Sequence, residues 1–258
     1  MAGPFSSHGV NDSGRIPVLE RLPGISVFFP AYNEAENIGG LVQRALEVLP
    51  TVAERFEIIV VDDGSTDATA AKVEELASSH PELRLVRHNG NKGYGAALRT
   101  GFASAREAII FFTDGDGQFD IGEIDRLIPL LGPAEIAAGY RTERRDPLYR
   151  SLNAGLFNLL IRTFFGLRHR DLNCAFKLIR REVLDAVILT SNGALINAEL
   201  LIKARRAGFR IAQTGVSHYP RTKGTQTGAN PAVIIRMFRE VFGLWLEQKR
   251  ERARPPRK

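Results

Sequence analysis

The chain has 258 residues, 44% of them hydrophobic and 25% charged, with 24 Gly, 13 Pro and a single Cys, so collagenous, wholly disordered and disulfide-scaffold classes fit poorly. Net charge is +6, but Lys249 to Lys258 holds six basic residues against Glu251, and everything before that run is close to neutral. Cys174 can form neither an internal disulfide nor a multi-cysteine zinc site, which suits a reducing compartment.

Residues 1–22 mix Gly, Pro, Ser and Asn with little periodicity and read as a mobile leader. They lack the basic start and apolar run of a signal peptide. A folded unit is expected over 23–230, followed by an amphipathic helix and basic tail over 231–258. The first strand is expected at Ile25 to Phe29, then a helix at Ala35 to Leu49 and a strand at Glu57 to Val61. The unit repeats with a helix at Thr66 to Ser78, a strand at Leu83 to His88, a helix at Ala96 to Ala105 and a strand at Ala108 to Thr113. Apolar strands alternating with helices predict an α/β fold with a mostly parallel sheet covered on both faces. In such sheets ligands bind at the carboxyl ends of the strands, where this chain places its Pro, Asp and Gly clusters.

Beyond Gly139 a basic segment precedes an expected apolar helix, Leu152 to Phe165. Further strands are expected at Asp171 to Ile179 and Gly208 to His218, with a helix at Asn197 to Ala207 between them. A last helix, Pro231 to Leu246, carries Ile234, Phe238, Val241, Phe242 and Trp245 at helical spacing. The longest run without a charge, Ala186 to Ala198, has 13 residues and is too short and too polar to span a bilayer. The helices at 152–165 and 231–246 are open to two readings, core packing or contact with a membrane surface. The basic tail that follows suits anionic lipid, nucleic acid or plain solubility.

Four segments carry chemistry. Asp114-Gly-Asp-Gly-Gln118 ends a strand and converges carboxylate and carboxamide oxygens, a hard-cation arrangement for Mg²⁺ or Mn²⁺, or else an acidic turn that caps a helix. Asp62-Asp63-Gly-Ser-Thr-Asp67 ends another strand. Capping of the next helix explains Ser65 or Thr66 and Asp67, while the repulsion between Asp62 and Asp63 implies that one of them reads a donor such as a base N–H or a ribose hydroxyl. Pro30-Ala-Tyr-Asn-Glu34 offers Tyr32 as a stacking surface. Asn91-Lys-Gly-Tyr-Gly-Ala-Ala97 is a glycine-rich turn that matches neither a dinucleotide fingerprint nor a phosphate-binding P-loop.

In this order the four segments resemble the family 2 glycosyltransferases, and specifically the dolichol-phosphate mannose synthase and polyprenyl-phosphate branch. Gly139-Tyr-Arg141, Asp171-Leu-Asn-Cys-Ala-Phe-Lys177 and Arg221-Thr-Lys-Gly224 extend the likeness. The resemblance implies a GT-A fold and inverting transfer of a hexose from a GDP- or UDP-sugar to a polyprenyl or dolichyl phosphate. It also implies a divalent metal, a site on the cytoplasmic membrane face and peripheral contact through 152–165 and 231–258. Pro30, Tyr32, Glu34 and Asp63 become nucleotide contacts, with Lys92 beside them. Asp114, Asp116 and Gln118 become the metal and diphosphate site, and Arg141 and Arg221 hold phosphate, with Arg150 and Lys177 as companions. The chain departs from the family at Phe119 to Glu123, at Ala175 and at Thr225 to Gly228, all on the acceptor side. An already anionic phosphate acceptor needs positioning more than a base. A soluble hydroxyl acceptor, the alternative, would need one, and Glu199 is the candidate. A nucleotide-sugar or nucleic-acid binding protein without transferase activity would rest on the tail alone.

Overall fold

The computed structural model describes residues 21–142, 148–221, 239–246 and 249, with the backbone only for 148–154. The leader up to residue 20, the Arg150 side chain, residues 222–238 and the tail from 250 onward lie outside the described residues. Leu22, at the end of the expected leader, already bridges Ala53, with its N–H on the Val52 carbonyl.

Seven strands form one sheet in the order β3-β2-β1-β4-β6-β5-β7. They are β1 (Ile25–Ala31), β2 (Phe56–Asp62), β3 (Leu83–Arg87), β4 (Ile109–Thr113), β5 (Ile136–Arg141), β6 (Phe176–Arg180) and β7 (Ile211–Val216). The first four run parallel, β6 runs antiparallel to β4 and β5, and β7 is parallel to β5. The helices are α1 (Ile38–Val52), α2 (Thr69–Ala77), α3 (Tyr94–Ser104), α4 (Leu148–Phe165), α5 (Arg181–Ala186) and α6 (Ile196–Arg206).

Both faces of the sheet are covered, which is why its central strands read as unbroken apolar runs. Ile25, Val27, Phe29, Ile58, Val60 and Phe111 share one core with α1. Phe28, Ile59, Val61, Ile110 and Phe112 face the other, with α3, α4 and α6. There Phe28 stacks on Phe112 at 5.4 Å and meets Phe102 edge-on at 5.0 Å.

Where helix starts differ from the sequence expectation, tertiary hydrogen bonds claim the first turn. α1 begins at Ile38 rather than Ala35, because the Glu34 N–H donates to Thr69 and the Ala35 N–H to Asp67. α2 begins at Thr69 rather than Thr66 and has no side-chain cap at its start. Ser65 instead accepts the Asn33 N–H, and Asn33 Oδ1 accepts the Thr66 N–H at 2.9 Å. Asn33 sits at φ +57°, a conformation asparagine tolerates better than most residues. The expected strand from Asp171 begins only at Phe176, because 171–175 form a turn. β5 and α5 were not foreseen, and β6 enters against the direction of its neighbours.

Candidate active site

β1 and β4 are neighbours whose connections leave in opposite directions, the switch point at whose carboxyl ends sheets of this kind bind ligands. Glu34 follows β1 and Asp114 and Asp116 follow β4, and the Gly115 N–H donates to the Pro30 carbonyl at 3.2 Å. Tyr32, just beyond β1, is 40% exposed, as a stacking surface must be.

Asp114 is half-buried, and its Oδ1 accepts the Tyr94 hydroxyl at 2.8 Å. Burial, and next the charge of Asp116, push its pKa up to about 7 against the pull of Tyr94 and Lys177. Burial also raises Asp116, opposed by the Gln118 N–H and by Arg221. Arg221 reaches back from beyond β7: its Nη2 lies 2.7 and 2.8 Å from the two Glu34 oxygens and its Nη1 3.8 Å from Asp116. Gln118 donates its side-chain Nε2 to the Tyr219 carbonyl at 2.9 Å, which leaves Oε1 as the acceptor end of the amide.

Two carboxylates whose pKa burial raises, one of them pushed further by the charge of the other, with an amide oxygen two residues on, fit a divalent cation of the Mg²⁺ or Mn²⁺ kind. Among the described residues no cluster of three or more His, Cys, Asp or Glu side chains is arranged for a metal.

The Asp62–Asp63 pair finds its donors inside the chain. Asp63 accepts the Lys92 N–H on Oδ1 at 2.9 Å and the Gly93 N–H on Oδ2 at 2.8 Å, with His88 Nδ1 2.6 Å from Oδ1. His88 Nε2 lies 2.9 Å from the Thr100 hydroxyl. Asp62 accepts the Ser65 N–H and pairs with Arg87 at 3.1 Å. Lys92 thus contributes its backbone here, while its side chain is exposed. Sequence reasoning passed over His88, although it sits one residue beyond β3, level with the acids.

On the far side, Arg141 at the end of β5 grips Asp171 with two nitrogens, at 2.7 and 3.1 Å. Lys177 is fully buried and donates to the Leu172 and Cys174 carbonyls of the Asp171 turn and to Asn197 Oδ1. Asn197 Nδ2 in turn reaches the Tyr94 hydroxyl at 3.4 Å. A polar chain, buried at Asn197 and Lys177, therefore runs from Asp114 through Tyr94 and Asn197 to Lys177 and the Arg141 clamp. Tyr94 and Asn197 carried no role in the sequence reading, since an uncharged relay leaves no charge pattern.

Glu199, the candidate base of the soluble-acceptor alternative, is fully buried, and its oxygens already accept from Thr190, Ser191 and Lys203. Burial alone would raise its pKa, but Lys203 and the two amides outweigh burial and hold it below the usual carboxylate value. His218 packs its ring on Phe119, and burial lowers the pKa of His169.

The family model for Glycosyl transferase family 2 matches residues 26–188. The chain belongs to this family. Among its relatives is Glycosyltransferase AglD of Haloferax volcanii, 32% identical over 207 residues that cover 76% of this chain and 33% of the relative. Dodecaprenyl-phosphate galacturonate synthase of Rhizobium johnstonii is 31% identical over 228 residues, covering 85% of this chain and 65% of the relative. The chain thus spans between a third and two thirds of the length of these relatives. Among solved structures, glucosyl-3-phosphoglycerate synthase from Mycobacterium tuberculosis in complex with Mn²⁺, UDP and glucosyl-3-phosphoglycerate superposes with a TM-score of 0.67 at 22% identity, covering 88% of this chain and 80% of that one. That likeness concerns the fold, and with it the sheet and helices of this family 2 chain are a GT-A fold.

Proposed function

We propose that this family 2 chain transfers a hexose, with inversion, from a nucleoside-diphosphate sugar to a polyprenyl phosphate. The observation that carries the reading is the opposition, at one end of the sheet, of the Asp114–Asp116 pair to Arg221 and Arg141. A donor diphosphate needs a cation and arginines together, and an anionic acceptor phosphate needs a second arginine fork. The name of the galacturonate synthase relative supports a polyprenyl-phosphate acceptor.

Asp114, Asp116 and the Gln118 Oε1 would hold Mg²⁺ or Mn²⁺, which when bound neutralises the charge that builds on the leaving diphosphate. The remaining work falls to the protein. Tyr32 stacks the base beside Pro30, and Asp63, fixed by the Lys92 and Gly93 amides, shapes the nucleoside pocket. Arg221 passes from Glu34 to the donor phosphates, and Arg141, oriented by Asp171, holds the acceptor phosphate in line with the sugar. A phosphomonoester with a second pKa near 6 is already a nucleophile at pH 7, so no base is required.

No described helix is long and apolar enough to cross a membrane. Peripheral contact with the inner face through 152–165 and 231–258 is part of the same proposal. Leu156, Leu159 and Phe242 are exposed, Trp245 lies between Phe164 and Phe242, and Lys249 Nζ sits 4.0 Å above the Trp245 ring. An aromatic row with a cation at its edge suits a headgroup layer.

The test is a panel of UDP- and GDP-sugars incubated with the protein, with and without Mn²⁺ and a short polyprenyl phosphate. Lipid-linked sugar that requires metal and disappears in Asp116→Asn supports the reading and names the donor. Donor turnover that ignores the lipid refutes the acceptor assignment.

A further inference from the structure

We propose that Glu199 is a positioning residue for the donor-nucleotide pocket, acting through the 190–193 turn on the turn that fixes Asp63. The inference rests on the nucleotide reading of that pocket given above. Glu199 lies in the first turn of α6, where the helix favours an anion. Its Oε1 accepts the Thr190 N–H and hydroxyl at 2.9 Å each and the Lys203 ammonium at 2.7 Å, and its Oε2 accepts the Ser191 N–H at 2.9 Å. These four donors pin residues 190 and 191 to α6.

The pinned turn is itself a support. Arg99 of α3 donates to the Ser191 carbonyl and, at 2.6 Å, to Asn192 Oδ1. The Asn192 carbonyl accepts the Gly95 N–H at 2.8 Å. The fit leaves no room for a side chain: a Cβ on Gly93 would stand 2.8 Å from the Asn192 oxygen, and one on Gly95 would collide with the Ser191 carbonyl. The turn from Lys92 to Gly95 is thus seated on the 190–193 turn, and its other edge presents the Lys92 and Gly93 amides to Asp63. One line of contacts leads from a buried carboxylate, by way of two backbone turns, to the acid at the nucleotide pocket. A carboxylate engaged by four donors orients a loop and does not collect a proton.

Glu199→Gln keeps the shape but turns an NH₂ group toward a donor, which loosens the turn. In the full chain, hydrogen exchange at the Lys92, Gly93 and Gly95 amides is expected to quicken about tenfold, the loss of roughly one buried hydrogen bond. Amides of Ile59 and Phe111 in the central strands keep their rates. With Mn²⁺ present, Kd for UDP or GDP and KM for the donor rise, while kcat and the pH–rate profile stay as in the wild type. Arg99→Ala cuts the same line at another point and gives the same pattern, and it decides the matter if Glu199→Gln does not fold. The proposal is overturned if those three amides exchange at wild-type rates in both variants. A pH–rate profile that loses a limb in Glu199→Gln also overturns it, because Glu199 is then a proton acceptor. If the wild type binds neither nucleotide, the donor reading fails, and the exchange pattern still decides the role of Glu199.

Discussion

The acids that follow the first strands and the arginines that follow the later ones are held in opposite ways. Asp62, Asp63 and Asp67 accept backbone N–H groups of their own or neighbouring loops, from Ser65, from Lys92 and Gly93, and from Ala35 and Thr69. Arg141 and Arg221 are held by carboxylates, Asp171 and Glu34. A group fixed by backbone amides moves only if the fold moves, so the donor side is rigid before anything binds. Arg221 can trade Glu34 for a phosphate with little change in geometry, and Arg141 is aimed by Asp171, so the phosphate side is set by side chains and not by the backbone. Asp114 and Asp116 lie where the two regimes meet.

Asp116→Asn probes that meeting point and carries the largest expected effect. Loss of one of two cation-binding carboxylates should lower kcat/KM by about 100-fold or more, since a Lewis-acid contribution amounts to several kcal/mol. Stability should hold or rise, because Asp114 loses the neighbouring charge that helps push its pKa up to about 7. Kinetics and urea denaturation on the same preparation check both halves, and retained activity breaks the assignment.

Arg141→Ala comes next. It strips the buried Asp171 of a two-point partner and should cost about 2–4 kcal/mol of stability. Acceptor KM should climb while donor affinity stays put, because the donor pocket is fastened elsewhere. Equal losses on both substrates would erase the distinction between the two sides.

The same contrast explains what could be read in the sequence. The donor half was legible because β1, β2 and β4 are largely apolar runs followed by acids, and all four motifs fall within 30–118. Its helix starts were misplaced by three residues at α1 and α2, since the Ser65 and Asn33 side chains bond across 32 or 33 residues and Asp67 divides its two oxygens between the Ala35 N–H, 32 residues away, and Thr69. In the later half β5 went unseen because Ile-Ala-Ala-Gly-Tyr-Arg is poor in strand formers, and the Asp171 turn was read as strand because Lys177 blurs where the apolar run of β6 begins. Glu199 was identified by position as an acid near the site, but only coordinates reveal that its lone pairs are already taken by Thr190, Ser191 and Lys203.

Lys177 gives a smaller effect with a definite sign. Burial lowers its pKa to about 8 from 10.5, so between those values the unfolded chain binds more protons and stability rises with pH, by at most about 1.4 kcal/mol per unit. Burial raises Cys174 to about 12 from 9.0, so above pH 9 the folded chain binds more protons and stability falls. The two slopes oppose each other. Urea midpoints should rise from pH 8 to 9 and then level off until about 10.5. Cys174→Ala should extend the rise, and Lys177→Met should leave only the fall. A flat profile in the wild type from pH 8 to 9 would mean that the ammonium is not buried as described.

The smallest effect belongs to Arg210 and Glu135, a pair that looks like the Arg141 clamp but faces solvent. Arg210 Nη2 lies 2.9 Å from Glu135, and the Arg210 N–H reaches the same carboxylate at 2.7 Å. Glu135 is held down to about 2, by the Arg210 side chain first and then by its amide. A depressed carboxylate contributes stability above its unfolded pKa of 4.5 and loses it as pH falls toward 2. Yet the Arg210 side chain is 67% exposed, so water and salt screen the pair and Arg210→Ala should cost far less stability than Arg141→Ala. The backbone N–H of residue 210 survives that substitution and keeps part of the Glu135 shift. If Arg210→Ala proved as costly as Arg141→Ala, burial would not be what separates a structural clamp from a surface pair, and the special standing given to Arg141 would fall with it.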